Sequence, residues 1–282
     1  MSPRVIDLMH LGRDRVIAAY ELERGVIVDP GPTTCVGALL DGLGDEPRAL
    51  LLTHIHLDHA GAAGALVRRF PELRVYVHDV GAPHLVDPSK LLASARRLYG
   101  DEMDRLWGEV ATVPAANLTA LSGGETVEGC RVLHTPGHAS HHVSYLDPAG
   151  DAYVGDLAGV RVPPGGMTLM PTPPPDIDVE AWERSLDALS GWGAARLFLT
   201  HFGPAGDPGE QLELARRRLR EAAGHARDGD RERFVAWIEA ELDEGADPDA
   251  AERFRQAAPP DQLWMGLERY WRVRETAPSR SP

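Results

Sequence analysis

The sequence predicts an α/β fold with a helical carboxy-terminal end, and three features of its patterning predict it. Short apolar runs of strand length recur up to residue 201, and several close on a histidine or an aspartate. One of them, Ala49-Leu50-Leu51-Leu52, passes through a polar turn into Gly61-Ala62-Ala63-Gly64-Ala65-Leu66-Val67, which reads as a helix. Beyond residue 206 the strand pattern stops and only helical spacing remains.

In chain order, residues 4–30 alternate apolar and polar positions, with turns at Gly12-Arg13-Asp14 and Glu23-Arg24-Gly25, and so predict a β-meander. A strand over 49–52 and a helix over 61–67 follow, then a short strand at 74–78. Within 80–116, residues 89–99 and the group Met103, Leu106, Trp107 and Val110 have helical spacing. These helices either flank the mouth of a site or form a packing insertion. Further strand-like runs end at His138, Asp156 and His201. Between the last two, residues 159–175 hold six prolines and three glycines, which excludes regular structure over most of the segment. Its apolar residues make it a candidate pocket wall, with Met167, Leu169 and Met170 expected against substrate. A helix is expected at 179–189. After residue 206, helices are expected at 210–223, 231–242, 249–257 and 261–273. Two carry aromatic stripes (Phe234, Trp237, Ile238, Leu242; Leu263, Trp264, Leu267, Tyr270, Trp271) that suit a core or a homodimer contact. The last eight residues, 275–282, are expected to be disordered.

The chemistry concentrates where strands end. Thr53-His54-Ile55-His56-Leu57-Asp58-His59 places three imidazoles and a carboxylate on one strand-to-helix turn, and ligands bind at the carboxyl ends of strands in open α/β sheets. His138, Asp156 and His201 each close a later strand-like run. Imidazole and carboxylate are metal ligands. Five histidines and two aspartates are enough for two ions, one held by three imidazoles, the other by two imidazoles and a carboxylate, with one carboxylate bridging.

The run His54-x-His56-x-Asp58-His59, then Thr135-Pro136-Gly137-His138, Val154-Gly155-Asp156 and Leu199-Thr200-His201, is similar to the motif set of the metallo-β-lactamase superfamily. Asp29, in residues 25–31, matches the family's early strand-terminal aspartate, and the resemblance runs from about residue 5 to residue 205. It implies a four-layer αβ/βα sandwich as a catalytic domain over 1–205; the helical spacing over 206–282 adds an appendage expected to pack on it. It implies that His54, His56 and His138 hold a first metal, that Asp58, His59 and His201 hold a second, and that Asp156 bridges them. Asp29 would fix a ligand by hydrogen bonding without touching metal. His142 matches a histidine of acyl-homoserine lactonases in this superfamily and is a candidate to line the site.

The reaction implied is hydrolysis of an ester, thioester or lactone by a dinuclear zinc centre with a metal-bridging hydroxide. Metal lowers the pKa of bound water to about 7. Asp58 is also a candidate to shuttle a proton. Two zinc ions are expected, and iron or manganese suits the same donors. The pattern lies closest to the hydroxyacylglutathione hydrolase and lactonase-like branch. Asp156 separates it from true β-lactamases, which lack the bridging aspartate. Gly159 stands where the lactonases carry tyrosine, so neither named activity carries over. The alternative is a mononuclear iron persulfide dioxygenase, which shares the fold; a metal-binding scaffold without turnover is a third reading.

Bulk properties fit an enzyme of small molecules. Composition is ordinary for a globular chain, with 43% hydrophobic and 26% charged residues. Net charge is −14, and Lys90 is the only lysine. A nucleic-acid binder needs a basic patch, and Arg216-Arg217-Arg218 is flanked by Glu213 and Glu221. No apolar stretch nears the ~20 residues of a membrane span. Residues 1–7 lead directly into a strand pattern without a signal-peptide signature, so a cytoplasmic location is expected. Cys35 and Cys130 read as small core residues. His10, His78, His134 and His225 read as structural or surface groups, with His84 and His141 weaker candidates still for the site.

Overall fold

The computed structural model describes residues 2–163 and 165–276. Strands β1 (Arg4–Asp7), β2 (Ala18–Leu22) and β3 (Val26–Val28) pair antiparallel in sequence order, as the alternation at 4–30 requires. β4 (Ala49–Leu51), β5 (Arg74–His78) and β6 (Leu118–Leu121) then add in parallel, completing a six-stranded sheet ordered β1-β2-β3-β4-β5-β6. Parallel neighbours need crossovers. These carry α1 (Val36–Gly42), then α2 (Leu57–Ala60) and α3 (Ala63–Arg69), then α4 (Ala82–Val86), α5 (Ser89–Tyr99) and α6 (Met103–Leu106).

The second sheet is ordered β12-β11-β10-β9-β8-β7. β7 (Thr126–Val127), β8 (Cys130–His134), β9 (Val143–Leu146) and β10 (Asp151–Gly155) form an antiparallel run. After α7 (Val179–Ser190), β11 (Arg196–Leu199) pairs parallel to β10, and β12 (Gly203–Pro204) closes the edge. Four helices follow: α8 (Pro208–Ala226), α9 (Arg231–Gly245), α10 (Pro248–Ala257) and α11 (Pro260–Thr276). α11 thus includes residues 275 and 276 of the tail expected to be disordered; 277–282 lie outside the described residues. The side chains of Asp178, Asp207, Asp230 and Asp247 cap α7 to α10, each accepting from a backbone N–H three residues on.

Period-two alternation splits the apolar residues between layers. Leu51, Tyr76, Tyr145, Tyr153 and Phe198 meet between the two sheets. Leu50, Val75 and Val77 point the other way, toward Leu39 of α1 and Leu66 of α3. Val154 and Leu199 face outward from the second sheet onto Trp182 of α7. The result is a helix–sheet–sheet–helix sandwich. The carboxy-terminal helices share that last core through Leu219, Phe234, Phe254 and Leu267, while Trp237, Trp264 and Trp271 are partly buried against it. α10 is also tied to the β1–β2 connection, since Arg253 Nη2 donates to Asp14 Oδ1 at 2.6 Å and Gln256 Nε2 to the His10 carbonyl at 2.9 Å. Cys35 and Cys130 are buried free thiols in different layers. Among the described residues, no helix is long and apolar enough to cross a membrane.

Candidate metal centre

Strands β3, β4, β8, β10 and β11 lead to one rim of the sandwich; the segments after β4, β8, β10 and β11, with α2 among them, carry the seven-ligand set, and Asp29 follows β3. Two groups form there: His54, His56, His138 and Asp156, and beside them Asp58, His59 and His201. In the first, His54 Nε2, His56 Nδ1 and His138 Nε2 make a triangle with edges of 3.0, 3.2 and 2.9 Å. Tetrahedral ligands about 2.0–2.1 Å from an ion would lie about 3.3 Å apart. In the second, Asp58 Oδ2 lies 3.3 Å from His201 Nε2 and 3.9 Å from His59 Nε2. Asp156 faces both groups: Oδ2 is 3.2 Å from His138 Nε2, while Oδ1 is 3.3 Å from His59 Nε2 and 3.6 Å from His201 Nε2.

Hydrogen bonds on the far side of each ring aim these nitrogens. His138 Nδ1–H donates to the Pro171 carbonyl and His201 Nδ1–H to the Val16 carbonyl, both at 2.7 Å. A carbonyl only accepts, so in both rings the Nε2 lone pair is the one facing the centre. His59 Nδ1–H donates to Asp29 Oδ2 at 2.8 Å. Asp29 also accepts from the Thr53 N–H, the Thr53 hydroxyl and the Thr200 hydroxyl, and is wholly buried. Since Thr53 Oγ1 donates to Asp29, it accepts from His54 Nδ1 at 3.1 Å and orients that ring too.

The donor set fits metal. Burial, then the neighbouring imidazoles, lower the basicity of His54, and the same causes bring His56 down to about 4. Burial also lowers His138. Three neutral rings therefore converge their lone pairs with no proton between them. In the second group burial opposes the charge on His59, but Asp156, Asp58 and Asp29 outweigh it and raise its pKa. Asp58 and Asp156 are driven the other way: burial disfavours their charge, yet the facing histidines hold both below the usual carboxylate range. His59 Nε2 and Asp156 Oδ1 are buried and complete no hydrogen bond. Orphaned donors and acceptors of this kind call for a ligand.

The centre floors a cleft of about 660 Å³. Its walls are α5 with the segment through Trp107, the turn around residues 171–176, and the α10–α11 junction with the first turns of α11. Residues 80–116 therefore flank the mouth, and the carboxy-terminal helices help cover it. Met167, Leu169 and Met170, expected against substrate, do not line the cleft. An antiparallel bridge between Val160 and Leu169 turns their loop, burying Leu169 and Met170 in the outer core with Met167 packed on it. The neighbouring Pro171, Pro173, Pro174 and Pro175 line the cleft instead. His142 also stands off it: fully buried, it accepts or donates through Nδ1 at Thr135 Oγ1, with its ring 5.1 Å from that of His54.

Three histidines outside the ligand set do line the cleft: the weaker candidates His84 and His141, and His10, which by sequence reads as a structural or surface group. His10 clamps two walls together. Its Nε2–H donates to the Leu106 carbonyl, Nδ1 accepts from Gln256 Nε2, and the ring stacks on Trp107. His141 is 7% exposed, its Nδ1 has no partner, and its ring lies 6.1 Å from His56 and 6.2 Å from His54. The only signal for it in the sequence is the crowding of His138, His141 and His142 into five residues.

Comparison with known proteins agrees with this geometry. The pattern of the metallo-β-lactamase superfamily matches residues 16–201, most of the chain. A hydroxyacylglutathione hydrolase of Synechococcus sp. is 31% identical over 135 residues, 46% of this chain and 42% of the relative. The chain spans less than two thirds of the length of the curated relatives it matches, from 20% to 62% among the first four. The crystal structure of a metallo-β-lactamase family protein from Thermus thermophilus superposes with a TM-score of 0.62 at 23% identity, covering 100% of this chain and 96% of that one. That likeness extends through the carboxy-terminal helices. A second crystal structure, of TTHA1623 in a di-iron-bound form, gives a TM-score of 0.53 at 29% identity over 72% of this chain and 93% of the other.

Proposed function

Because the chain belongs to the metallo-β-lactamase superfamily, we propose that it is a dinuclear zinc hydrolase of an ester, thioester or lactone in a small molecule. The observation that carries this reading is Asp156, which turns one oxygen to each of two ligand groups. His54, His56 and His138 would hold one ion, and Asp58, His59 and His201 the other. When bound, such ions lower the pKa of water to about 7 and polarise the oxygen of an acyl group.

The chain's own residues supply the rest. Asp58 lines the cleft and has a side chain 22% exposed, the more open of the two carboxylates. Its Oδ2 faces His201, which leaves Oδ1 to take a proton from the attacking water and pass it to the leaving group. His141 offers an unpaired ring beside the first group to hydrogen-bond a substrate oxygen. No side-chain nucleophile is needed. The two thiols are ill suited to that role, since burial pushes Cys35 up to about 11 and Cys130 up to about 12. The names of the hydroxyacylglutathione hydrolase relatives favour thioesters.

Metal content per chain, measured by inductively coupled plasma mass spectrometry on protein made without metal supplementation, is the first test. Two zinc ions with turnover of an ester, thioester or lactone panel is the expected result. A single iron with oxygen consumption on persulfides would replace this reading by the dioxygenase one.

A further inference from the structure

Lys90 is the only lysine in a chain of net charge −14, and it lines the cleft. It is not alone there. α5 places Lys90, Ser94 and Arg97 at i, i+4 and i+7 along the face turned to the cleft, a span of about 10 Å. Across the mouth, α11 brings Arg269, whose Nε donates to the Pro175 carbonyl at 3.0 Å.

In so acidic a protein, cations are expected to find carboxylates. Arg196, Arg253 and Arg255 do so, at 2.5 or 2.6 Å from Asp151, Asp14 and Glu239. Lys90 and Arg97 are exposed and, among the described residues, make no hydrogen bond or ion pair. Both nevertheless line the cleft, whereas the equally exposed Arg96 of the same helix does not. Apart from the ligands Asp58 and Asp156, the one acidic lining residue is Asp176, which accepts from the Ser140 hydroxyl. The mouth thus carries positive charge on a negative surface, a distribution that draws anions in. Behind it the walls are apolar, with Leu91, Leu98, Trp107 and Leu263.

We infer that the substrate is an apolar acyl group joined to an anionic alcohol or thiol, whose carboxylate or phosphate is bound by Lys90, Arg97 and Arg269. These three are specificity-determining residues. The reaction on such a substrate rests on the hydrolase reading above; its recognition does not.

Binding and turnover separate the two claims. Calorimetry on the metal-loaded protein would use three thioethers with one common hexyl group: S-hexylglutathione with carboxylates, S-hexyl-coenzyme A with phosphates, and neutral S-hexyl-N-acetylcysteamine. At least one anionic ligand should bind about tenfold tighter than the neutral one at low ionic strength, the size expected of a few exposed charge pairs. Which anion prevails identifies carboxylate or phosphate. Added salt should shrink the preference, and K90A/R97A/R269A should abolish it with metal content unchanged. Equal affinity for all three, binding of none, or a preference that survives the triple variant overturns the inference. The matching thioesters test the chemistry: anion-dependent binding without hydrolysis would leave the recognition standing and refute the hydrolase.

Discussion

Asp29→Asn is the sharpest probe of how this centre is held. Asp29 has φ 48°, in the left-handed region that asparagine also tolerates, so the backbone need not move. Its two oxygens have different duties. Oδ1 accepts from the Thr53 N–H at 2.8 Å, while Oδ2 accepts from His59 Nδ1 at 2.8 Å and from the hydroxyls of Thr53 and Thr200 at 2.7 and 3.0 Å. An asparagine that keeps the first bond puts its NH₂ where Oδ2 was. The two hydroxyls can rotate and accept instead. The imidazole cannot: it must lose the bond or move its proton to Nε2, which removes the lone pair that faces Asp58 and Asp156. Loss of such a supporting partner lowers metal affinity about 10- to 100-fold, or roughly 1.4–2.7 kcal/mol. His54 is spared, because Thr53 Oγ1 still accepts from its Nδ1. Competition with a chromophoric chelator should therefore show one site weakened by that factor and one unchanged. An Asn variant holding both ions as tightly as the parent would refute this account of the hydrogen-bond network.

Three further outcomes are expected. A methyl at Gly266 would lie 2.0 Å from the Thr172 carbonyl, so Gly266→Ala should unseat α11 and cost about 1–3 kcal/mol by thermal melting, with both ions retained. His141→Phe should leave the melting temperature unchanged or raised, since the ring it replaces has an unsatisfied nitrogen worth about 1–3 kcal/mol, while KM rises. Glu128 receives Arg48 at 2.5 Å and Arg74 and the Tyr76 hydroxyl at 2.7 Å; burial disfavours its charge, but these partners hold its pKa below the usual value. The folded-state value being the lower one, its stabilisation is complete above the unfolded value of about 4.3 and is lost as pH falls through the folded one. Glu128→Gln should then cost about 1–2 kcal/mol at pH 7, and urea titrations should show that gap closing in acid.

Much of this arrangement can be read from residue order, for a physical reason. His54, Asp156 and His201 each follow directly on an apolar run, and a sheet gathers its strand ends at one rim, so distant positions become neighbours. The limits have equally local causes. Leu169 and Met170 are apolar, which says that they are covered but not by what; a single bridge to Val160 decides for the core. His141 and His142 lead into β9, where successive side chains take opposite sides. Which of them meets the cleft depends on the sandwich, not on their spacing. Lys90, Ser94 and Arg97 read as the wet stripe of an amphipathic helix, and only tertiary placement turns that stripe over the centre. The outer core behaves likewise: Phe234 and Leu267 announce a buried face, while the partner they share with Val154 and Leu199 is visible only once folded.

The floor and the walls of the cleft come from different parts of the chain. Metal-facing groups hang from loops between strands that lock one another in register, where a substitution disturbs two sheets at once. Apart from the turn at 171–176, the walls are helical excursions, residues 82–107 and 256–269, that contribute no ligand to either group. Mutational drift is tolerated in those excursions far more readily than at the rim beneath them. Descendants of such a chain can thus exchange one diet of substrates for another by remodelling α5 or α11 while inheriting the same cluster of histidines and aspartates intact.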